Sequence, residues 1–327
     1  MKKVKYVAFV MGVLFFNTAF SYNSSNNIIL KLLKTTNYYR SKYGLGDFSE
    51  VQVSDNSDRV IYGQDDRKDF YQLTDNQQKE LANSVCLLTY KDNLKVNQNQ
   101  YELGLSPYTE SGFTGCQNEK FRQQKVGGWC TGFLVAPDVI ATAGHCIEND
   151  SDAKNTAFVF GFSMKDSSNI NSNFKANQVY YGKKLLAHAL TSNGEDYALV
   201  QLAKKVDLPG TKPLKVRASG SANVNDLIGV IGYPSGLPIK ITYGQSTRIL
   251  ESTAKLYRTN LDTYSGNSGS PVFNASSGLV EGILVRGASD FVVDRSSQCF
   301  RSALLQDRQG GEMATKSLIF AQYIPQG

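Results

Sequence analysis

The stretch VIATAGHC at residues 139–146 joins an apolar run to a histidine and a cysteine. The branched and small apolar residues at 139–143 are typical of a short buried β-strand. His145 is one of only two histidines in the chain. A histidine in an apolar run is often a satisfied core residue, but imidazole is also the natural general base near neutral pH. The stretch therefore predicts a strand that leads into a candidate catalytic histidine.

Two further stretches supply the partners that such a histidine needs. Asp196 opens the run DYALVQL, and DTYSGNSGSP at 262–271 contains Ser268. A serine hydroxyl becomes a useful nucleophile only beside a base, and the base needs an acid that fixes its tautomer. We predict His145, Asp196 and Ser268 as a catalytic triad. There are two alternatives. Asp196 could cap the strand, with Glu195 as the acid, and Ser268 could be a turn serine.

The glycine two residues before Ser268 has a predicted role of its own. Gly266 allows the backbone to turn sharply. A tetrahedral oxyanion needs backbone N–H donors that are already in place. The sequence therefore predicts an oxyanion hole formed by the N–H groups of Gly266 and Ser268.

The sequence from residue 84 onward has the pattern of an all-β protein. Short apolar runs alternate with polar turns, and no βαβ rhythm is present. This spacing predicts a barrel or a sandwich. The predicted strands are 85–90, 131–136, 139–143, 157–162, 197–202, 227–232 and 280–285.

Taken together, the three stretches resemble those of the chymotrypsin/trypsin-like serine peptidases, over about residues 84–305. The GNSGSP form at 266–271 resembles the bacterial glutamyl-endopeptidase-like branch. The order His, Asp, Ser differs from that of α/β-hydrolases and of subtilisins. The resemblance implies two antiparallel six-stranded β-barrels with the active site between them. It also implies protein or peptide substrates and no cofactor.

The resemblance also implies a specificity pocket, formed by Asp262, Thr263, Arg286 and Gly287. A carboxylate at Asp262 would favour lysine or arginine before the cut. Arg286 could instead attract an acidic side chain, although Leu284 stands where a histidine is associated with glutamate preference. Basic specificity is favoured, and glutamate specificity stays open.

Five cysteines are present, so at least one has no partner within the chain. The resemblance implies a disulfide between Cys130 and Cys146. A bridge between Cys86 and Cys116 is a weaker expectation, and it would leave Cys299 over. With no C-x-x-C and two histidines, no metal site of the usual Cys/His kind is expected.

The N-terminus predicts export. Residues 1–21 combine three lysines, an apolar run at 7–16 and the small-x-small site Ala19-Phe20-Ser21, which is typical of a signal peptide. Residues 22–83 are interpreted as a propeptide or N-terminal extension, with a small ordered subdomain as the alternative. Residues 84–327 would form the peptidase domain. The expected product is secreted or periplasmic, monomeric and not bound to a membrane.

Charge excludes one class of partner. The net charge of +6 falls to +3 without the three lysines of residues 1–21, and it is scattered along the chain. This is too little to predict nucleic-acid binding. Two other functions remain open on the same fold, an inactive binding protein and an esterase. The complete triad argues against the first, and the chain order argues against the second.

Overall fold

The computed structural model describes residues 59–287, 290–306 and 310–325. It contains three short α-helices and 25 strands. The helices are α1 (Asn76–Ala82), α2 (Asp150–Asn155) and α3 (Ser317–Phe320). The strands are β1 (Arg59–Tyr62), β2 (Lys68–Asp69), β3 (Val85–Tyr90), β4 (Leu94–Asn97), β5 (Gln100–Leu103), β6 (Ser106–Pro107), β7 (Thr109–Glu110), β8 (Phe113–Gly115), β9 (Lys125–Val126), β10 (Cys130–Ala136), β11 (Val139–Thr142), β12 (Thr156–Phe160), β13 (Asn173–Lys175), β14 (Val179–Leu190), β15 (Asp196–Leu202), β16 (Ile228–Gly232), β17 (Lys240–Thr242), β18 (Ile249–Ser252), β19 (Leu256–Thr259), β20 (Pro271–Asn274), β21 (Val280–Arg286), β22 (Phe291–Asp294), β23 (Cys299–Ser302), β24 (Leu304–Leu305) and β25 (Glu312–Lys316).

The first half of the fold is a closed barrel. Six strands close it in the order β10-β11-β15-β14-β12-β3, and each neighbouring pair is antiparallel. Strands β3, β10 and β11 are buried along almost their whole length, because their side chains face either the barrel interior or other parts of the molecule. Closure pairs every strand on both sides and leaves no edge exposed.

The second half is an eight-stranded sheet with the order β18-β19-β25-β21-β20-β16-β17-β2, curled into a half-barrel. The all-β, chymotrypsin-like prediction is confirmed. The outer edge of β17 is occupied by β2, with Lys240 opposite Asp69. A strand from the N-terminal side of the chain thus extends this sheet.

The predicted local elements fall close to those observed. All seven predicted strands are present as β3, β10, β11, β12, β15, β16 and β21. Helix α1 lies directly before β3. Its N-cap is Asp75, whose carboxylate accepts from the N–H groups of Gln77 and Gln78. None of the helices in the described ranges is both long and apolar enough to cross a bilayer.

A small sheet joins the two halves and corrects one disulfide prediction. Its order is β22-β23-β8-β7, and β23 runs parallel to β8. This pairing brings Cys299 beside Cys116, and the two form a disulfide. The expected Cys86–Cys116 bridge is wrong. Cys86 is the second residue of β3, fully buried in the barrel, and it is the free cysteine.

The N-terminal segment, residues 59–69, is built into the second half of the fold. β1 pairs in parallel with β24, and β2 extends the eight-stranded sheet. Lys240, 2% exposed, places its ammonium 2.7 Å from the Asp69 carboxylate. The described part of the predicted 22–83 extension is therefore integral to the fold. The predicted signal peptide at 1–21 lies outside the described residues.

Candidate active site

His145 and Asp196 are brought together by two neighbouring strands of the barrel. His145 follows β11, Asp196 begins β15, and the antiparallel register places Thr142 opposite Ala198. His145 Nδ1 lies 2.8 Å from Asp196 Oδ2, and the His145 backbone N–H donates to Oδ1 at 3.1 Å. Both residues are 4% exposed. The carboxylate therefore fixes the ring and stabilises it when it is protonated.

The chain between β11 and His145 needs a glycine. A β-carbon on Gly144 would lie 2.2 Å from the carbonyl oxygen of Ala189 on β14. The backbone carbonyl oxygen of Gly144 itself lies 3.1 Å from Nε2 of His188, the second histidine. His188 thus contacts the backbone beside the site, whereas the ring that contacts Asp196 is that of His145.

The Ser268 loop comes from the second half of the fold and docks onto β10. The Thr131 backbone N–H donates to the Ser268 carbonyl at 2.9 Å, and Thr131 Oγ1 donates to the Gly266 carbonyl at 2.9 Å. A β-carbon on Gly269 would lie 2.0 Å from the Thr131 carbonyl oxygen and 2.3 Å from Thr142 Oγ1. Thr142 lies three residues before His145. The loop is therefore clamped against the strands that carry the histidine, and Ser268 is half-buried there.

The backbone around Ser268 suits an oxyanion hole. Gly266 has φ 94°, a conformation that favours glycine. The Ser265 carbonyl accepts from Ser235 N–H, and the Asn267 carbonyl accepts from Ser270 N–H at 2.8 Å. A trans peptide directs its N–H away from its C=O. The N–H of Gly266 therefore points away from the Ser265 carbonyl, and the N–H of Ser268 points away from the Asn267 carbonyl. Among the described residues, neither N–H donates to another backbone carbonyl.

A disulfide supports the histidine. Cys130, the first residue of β10, is bonded to Cys146, as the resemblance implies. Cys130, His145 and Cys146 lie close enough to suggest metal ligands. Both sulfurs are consumed by the disulfide and offer no thiolate to a metal. The bridge therefore ties the chain after His145 to the strand on which the serine loop docks.

Asp262, the predicted recognition carboxylate, faces the N-terminal segment. Its Oδ1 accepts from Tyr62 N–H at 2.8 Å and its Oδ2 from Asp66 N–H at 3.0 Å. It is 3% exposed. Burial raises the pKa of Asp262 to about 7, although the two backbone hydrogen bonds work in the other direction. Both oxygens are thus engaged by backbone donors.

The structure places a carboxylate that the sequence analysis missed beside two predicted pocket residues. Thr263 Oγ1 donates to Glu312 Oε2. A β-carbon on Gly287 would lie 2.1 and 2.2 Å from the two Glu312 carboxylate oxygens. Glu312 begins β25, which pairs with β21 so that Met313 lies opposite Arg286. No local motif marks Glu312, because only this strand register brings it to the site.

The N-terminal segment also buttresses the serine loop through charge and aromatic contacts. The Arg67 guanidinium, 1% exposed, lies 4.1 Å from the centre of the Tyr264 ring and pairs with Asp65 at 2.7 Å. Lys120 Nζ donates to the Arg67 carbonyl at 2.6 Å. A guanidinium over a desolvated aromatic face is stabilising. The Tyr264 ring, four residues before Ser268, is therefore packed against the Arg67 side chain of the N-terminal segment.

Comparison with known proteins agrees with this geometry. The family model of the trypsin-like peptidase domain matches residues 130–283. These residues are therefore similar to a trypsin-like peptidase domain. The match begins at β10 and includes the three residues of the predicted triad and the whole Ser268 loop. It thus covers the strands and loops that carry His145, Asp196 and Ser268.

Two curated relatives show what the matching segment is similar to. Glutamyl endopeptidase of Bacillus licheniformis is 25% identical over 162 residues, which is 46% of this chain and 46% of the relative. Secreted RxLR effector protein 73 of Plasmopara viticola is 30% identical over 165 residues, 46% of this chain and 40% of the relative. The chain spans less than half the length of these relatives. It resembles the glutamyl-endopeptidase branch through the peptidase domain.

One solved structure is similar over a larger share of the chain. A Glu endopeptidase solved in complex with MPD matches with a TM-score of 0.47 and 16% identity, over 81% of this chain and 97% of that chain.

Proposed function

We propose that this protein is an exported serine endopeptidase that cleaves peptide bonds through His145, Asp196 and Ser268. The observation that carries the proposal is the paired contact of His145 with Asp196, next to a serine loop clamped onto the same barrel by Thr131. A positioned acid–base pair beside a nucleophile with backbone donors behind it is suited to acyl transfer.

The chemistry proceeds in two halves. His145 takes the proton of the Ser268 hydroxyl as its oxygen bonds to the peptide carbonyl carbon, and the carbonyl electrons move onto the oxygen. The N–H groups of Gly266 and Ser268 stabilise that oxyanion. His145 then gives the proton to the leaving amine as the C–N bond breaks. Water repeats the sequence on the acyl-enzyme and regenerates Ser268.

Asp196 acts through His145. It accepts from the Nδ1 side of the ring, so Nε2 is the nitrogen that exchanges the proton with Ser268. Its negative charge also stabilises the imidazolium that forms in each half-reaction. This division of roles needs no metal and no cofactor.

Export and domain organisation belong to the same proposal. Residues 1–21 would be removed as a signal peptide. An oxidising compartment agrees with two disulfides among the described residues. The removable extension would end before residue 59, because β1 and β2 pair with strands β24 and β17 of the peptidase fold. The mature peptidase would act as a monomer on protein or peptide substrates.

Cleavage-site profiling of a peptide library by mass spectrometry tests the proposal. Wild type is compared with Ser268→Ala and with Ser276→Ala, an exposed turn serine eight residues later. We expect wild type and Ser276→Ala to cut the same bonds, and Ser268→Ala to cut none. Equal cutting by Ser268→Ala would contradict the proposal. Absence of cutting by all three would favour a binding protein, and cleavage of esters alone would favour an esterase.

A further inference from the structure

We propose that the disulfide between Cys116 and Cys299 is a thiol-sensitive switch that positions the Ser268 loop. The bridge acts through Ser302 and Tyr264, which are positioning residues because they act through the backbone of that loop. The inference rests on the proposed function, since the loop carries the proposed nucleophile. The oxidised bridge holds the loop for catalysis, and reduction of the bridge by a thiol releases it.

The two disulfides differ in their accessibility. Cys130 and Cys146 are each 1% exposed. Cys116 and Cys299 are only partly buried, and each has exposed residues next to it in the sequence. A thiolate must reach a sulfur atom before it can exchange with a disulfide. A thiol in solution should therefore reduce the Cys116–Cys299 bridge first and leave the bridge beside the catalytic histidine intact.

The accessible bridge is the covalent tie between two short strands, β8 and β23. These parallel strands share only two register pairs, Cys299 opposite Thr114 and Phe300 opposite Gly115. The Cys116 N–H adds one hydrogen bond to the Phe300 carbonyl, at 2.8 Å. So few backbone contacts constrain the two strands weakly. The disulfide therefore supplies most of the constraint that keeps β8 beside β23.

A carboxylate beside the bridge holds Ser302. Glu119 lies three residues after Cys116, and Ser302 lies three residues after Cys299. The Ser302 N–H donates to Glu119 Oε2 at 2.7 Å, and its hydroxyl donates to Oε1 at 2.6 Å. Glu119 follows the bridge, because its own N–H donates to the Cys116 carbonyl at 2.9 Å. Separation of the two cysteines would therefore draw the carboxylate away from Ser302.

The small sheet grips Tyr264 through two contacts. The Tyr264 phenol forms a hydrogen bond with the Ser302 hydroxyl, which itself donates to Glu119, so the phenol is the donor. Burial raises the pKa of Tyr264, and the phenol therefore keeps the proton that it donates. Phe291 lies opposite Ser302 in the sheet, and its ring centre is 4.6 Å from that of Tyr264. The position of Tyr264 thus depends on the position of β22 and β23.

Tyr264 begins the turn that carries the proposed oxyanion hole. Its carbonyl accepts from the Asn267 N–H at 2.9 Å, which closes the turn around Gly266, and Ser268 follows directly. A displacement of about 1 Å at such a site can cost about 100-fold in rate. Contacts to an oxyanion strengthen in the transition state. Release of Tyr264 should therefore slow the chemical step and change substrate binding little.

The redox step balances with a thiol as its only co-reactant. One thiolate attacks a sulfur of the bridge and displaces the other cysteine, which leaves a mixed disulfide. A second thiol attacks the sulfur of the first and releases the remaining cysteine. Two thiols are thus oxidised to one disulfide, and the bridge takes up two electrons and two protons. An oxidising compartment favours the reverse step, so the exported protein would be in its active form.

The test treats the folded mature protein with dithiothreitol and alkylates the free thiols of one portion with iodoacetamide. Peptide mapping then shows which cysteines were reduced. We expect alkylation of Cys116 and Cys299, a fall in kcat of about 10- to 100-fold on a peptide substrate, and KM within about twofold of its original value. Circular dichroism should stay unchanged, and reoxidation of the portion that was not alkylated should restore kcat.

Two variants test the path from the bridge to the loop. Ser302→Ala keeps the disulfide and removes the hydroxyl that joins Glu119 to Tyr264. We expect a lowered kcat in the oxidised variant and a smaller further loss on reduction than in wild type, because both changes break one path. Ser296→Ala, in the exposed turn between β22 and β23, is the matched control and should respond to dithiothreitol as wild type does.

The outcomes separate this inference from the proposed function. An unchanged kcat after reduction overturns the inference, as does a Cys116–Cys299 bridge that the thiol does not reduce. Loss of the folded circular dichroism together with kcat, or a wild-type response in Ser302→Ala, also overturns it. If the oxidised protein cuts no peptide, the peptidase proposal fails, and hydrogen exchange of residues 262–270 decides. Faster exchange there after reduction supports the switch, and unchanged exchange overturns it.

Discussion

Asp196 holds His145 through two hydrogen bonds, one to the ring and one to the backbone. In Asp196→Asn the amide can present an N–H to the ring, which favours the wrong tautomer. We expect kcat on a peptide substrate to fall by about 10⁴-fold, with the fold retained by circular dichroism. Asp92→Asn, an exposed carboxylate outside the site, is the matched control and should keep wild-type kcat. A loss of less than 10-fold would contradict the assigned role.

Asp262 makes stability depend on pH. Burial raises its pKa to about 7 from an ordinary value of 3.8, so the folded state binds this proton more tightly than the unfolded state does. As pH rises from 4 to 7 the unfolded carboxyl ionises first, and stability falls by up to about 4 kcal/mol. Asp262→Asn removes this titration.

Thermal melts at pH 5, 6, 7 and 8 measure the effect. The Tm of Asp262→Asn relative to wild type should rise from pH 5 to pH 7 and level off towards pH 8, whereas the difference for Asp92→Asn should stay flat. A difference for Asp262→Asn that is independent of pH would show that Asp262 keeps an ordinary pKa.

At the scale of elements, Thr131 couples the barrel strand β10 to the serine loop. Its hydroxyl donates to the Gly266 carbonyl and accepts from Tyr233 N–H at 3.0 Å, and all three groups are buried. Thr131→Val keeps the shape but leaves a buried donor and a buried acceptor unsatisfied. We expect a loss of about 2–4 kcal/mol in the free energy of unfolding, measured by urea denaturation.

The same variant should also lower kcat, because the Gly266 carbonyl helps to hold the backbone of the proposed oxyanion hole. Thr114→Val on β8 is a control of the same chemistry on an exposed strand position. Equal stability and kcat in Thr131→Val and wild type would show that the loop is positioned without this clamp.

The Cys116–Cys299 disulfide joins two strands of the small sheet that spans the two halves. The double variant Cys116→Ser/Cys299→Ser removes it without leaving a lone thiol. Because the bridge closes 183 residues of chain, we expect a loss of about 2–5 kcal/mol of stability, measured by denaturant unfolding. A change below 0.5 kcal/mol, roughly the size of an ordinary surface substitution, would contradict a structural role.

For the whole molecule, the sequence predicts what depends on short stretches. His145, Asp196 and Ser268 each belong to a local motif, and the predicted strands follow from local apolar runs. The contact between His145 and Asp196 required only that β11 and β15 be neighbours. The same reasoning explains why the Cys130–Cys146 bridge, which lies within one hairpin, agrees with the structure.

Features set by distant strands escaped prediction. Glu312 reaches Thr263 only through the register of β25 with β19 and β21. Cys116 meets Cys299 only because β8 and β23 are parallel neighbours. The N-terminal segment, polar and without alternation, was interpreted as an extension, yet β2 fills the edge of β17. Such contacts depend on which edges remain to be paired after the local elements have formed.

The central claim is that His145 activates Ser268 as a nucleophile. The most direct test is reaction of the mature protein with a fluorophosphonate probe, followed by peptide mapping of the adduct, in wild type, His145→Ala and His188→Ala. The account predicts a single adduct on Ser268 in wild type and in His188→Ala, and a labelling rate reduced by at least 10³-fold in His145→Ala. Equal labelling without His145, or an adduct on another serine, would contradict it.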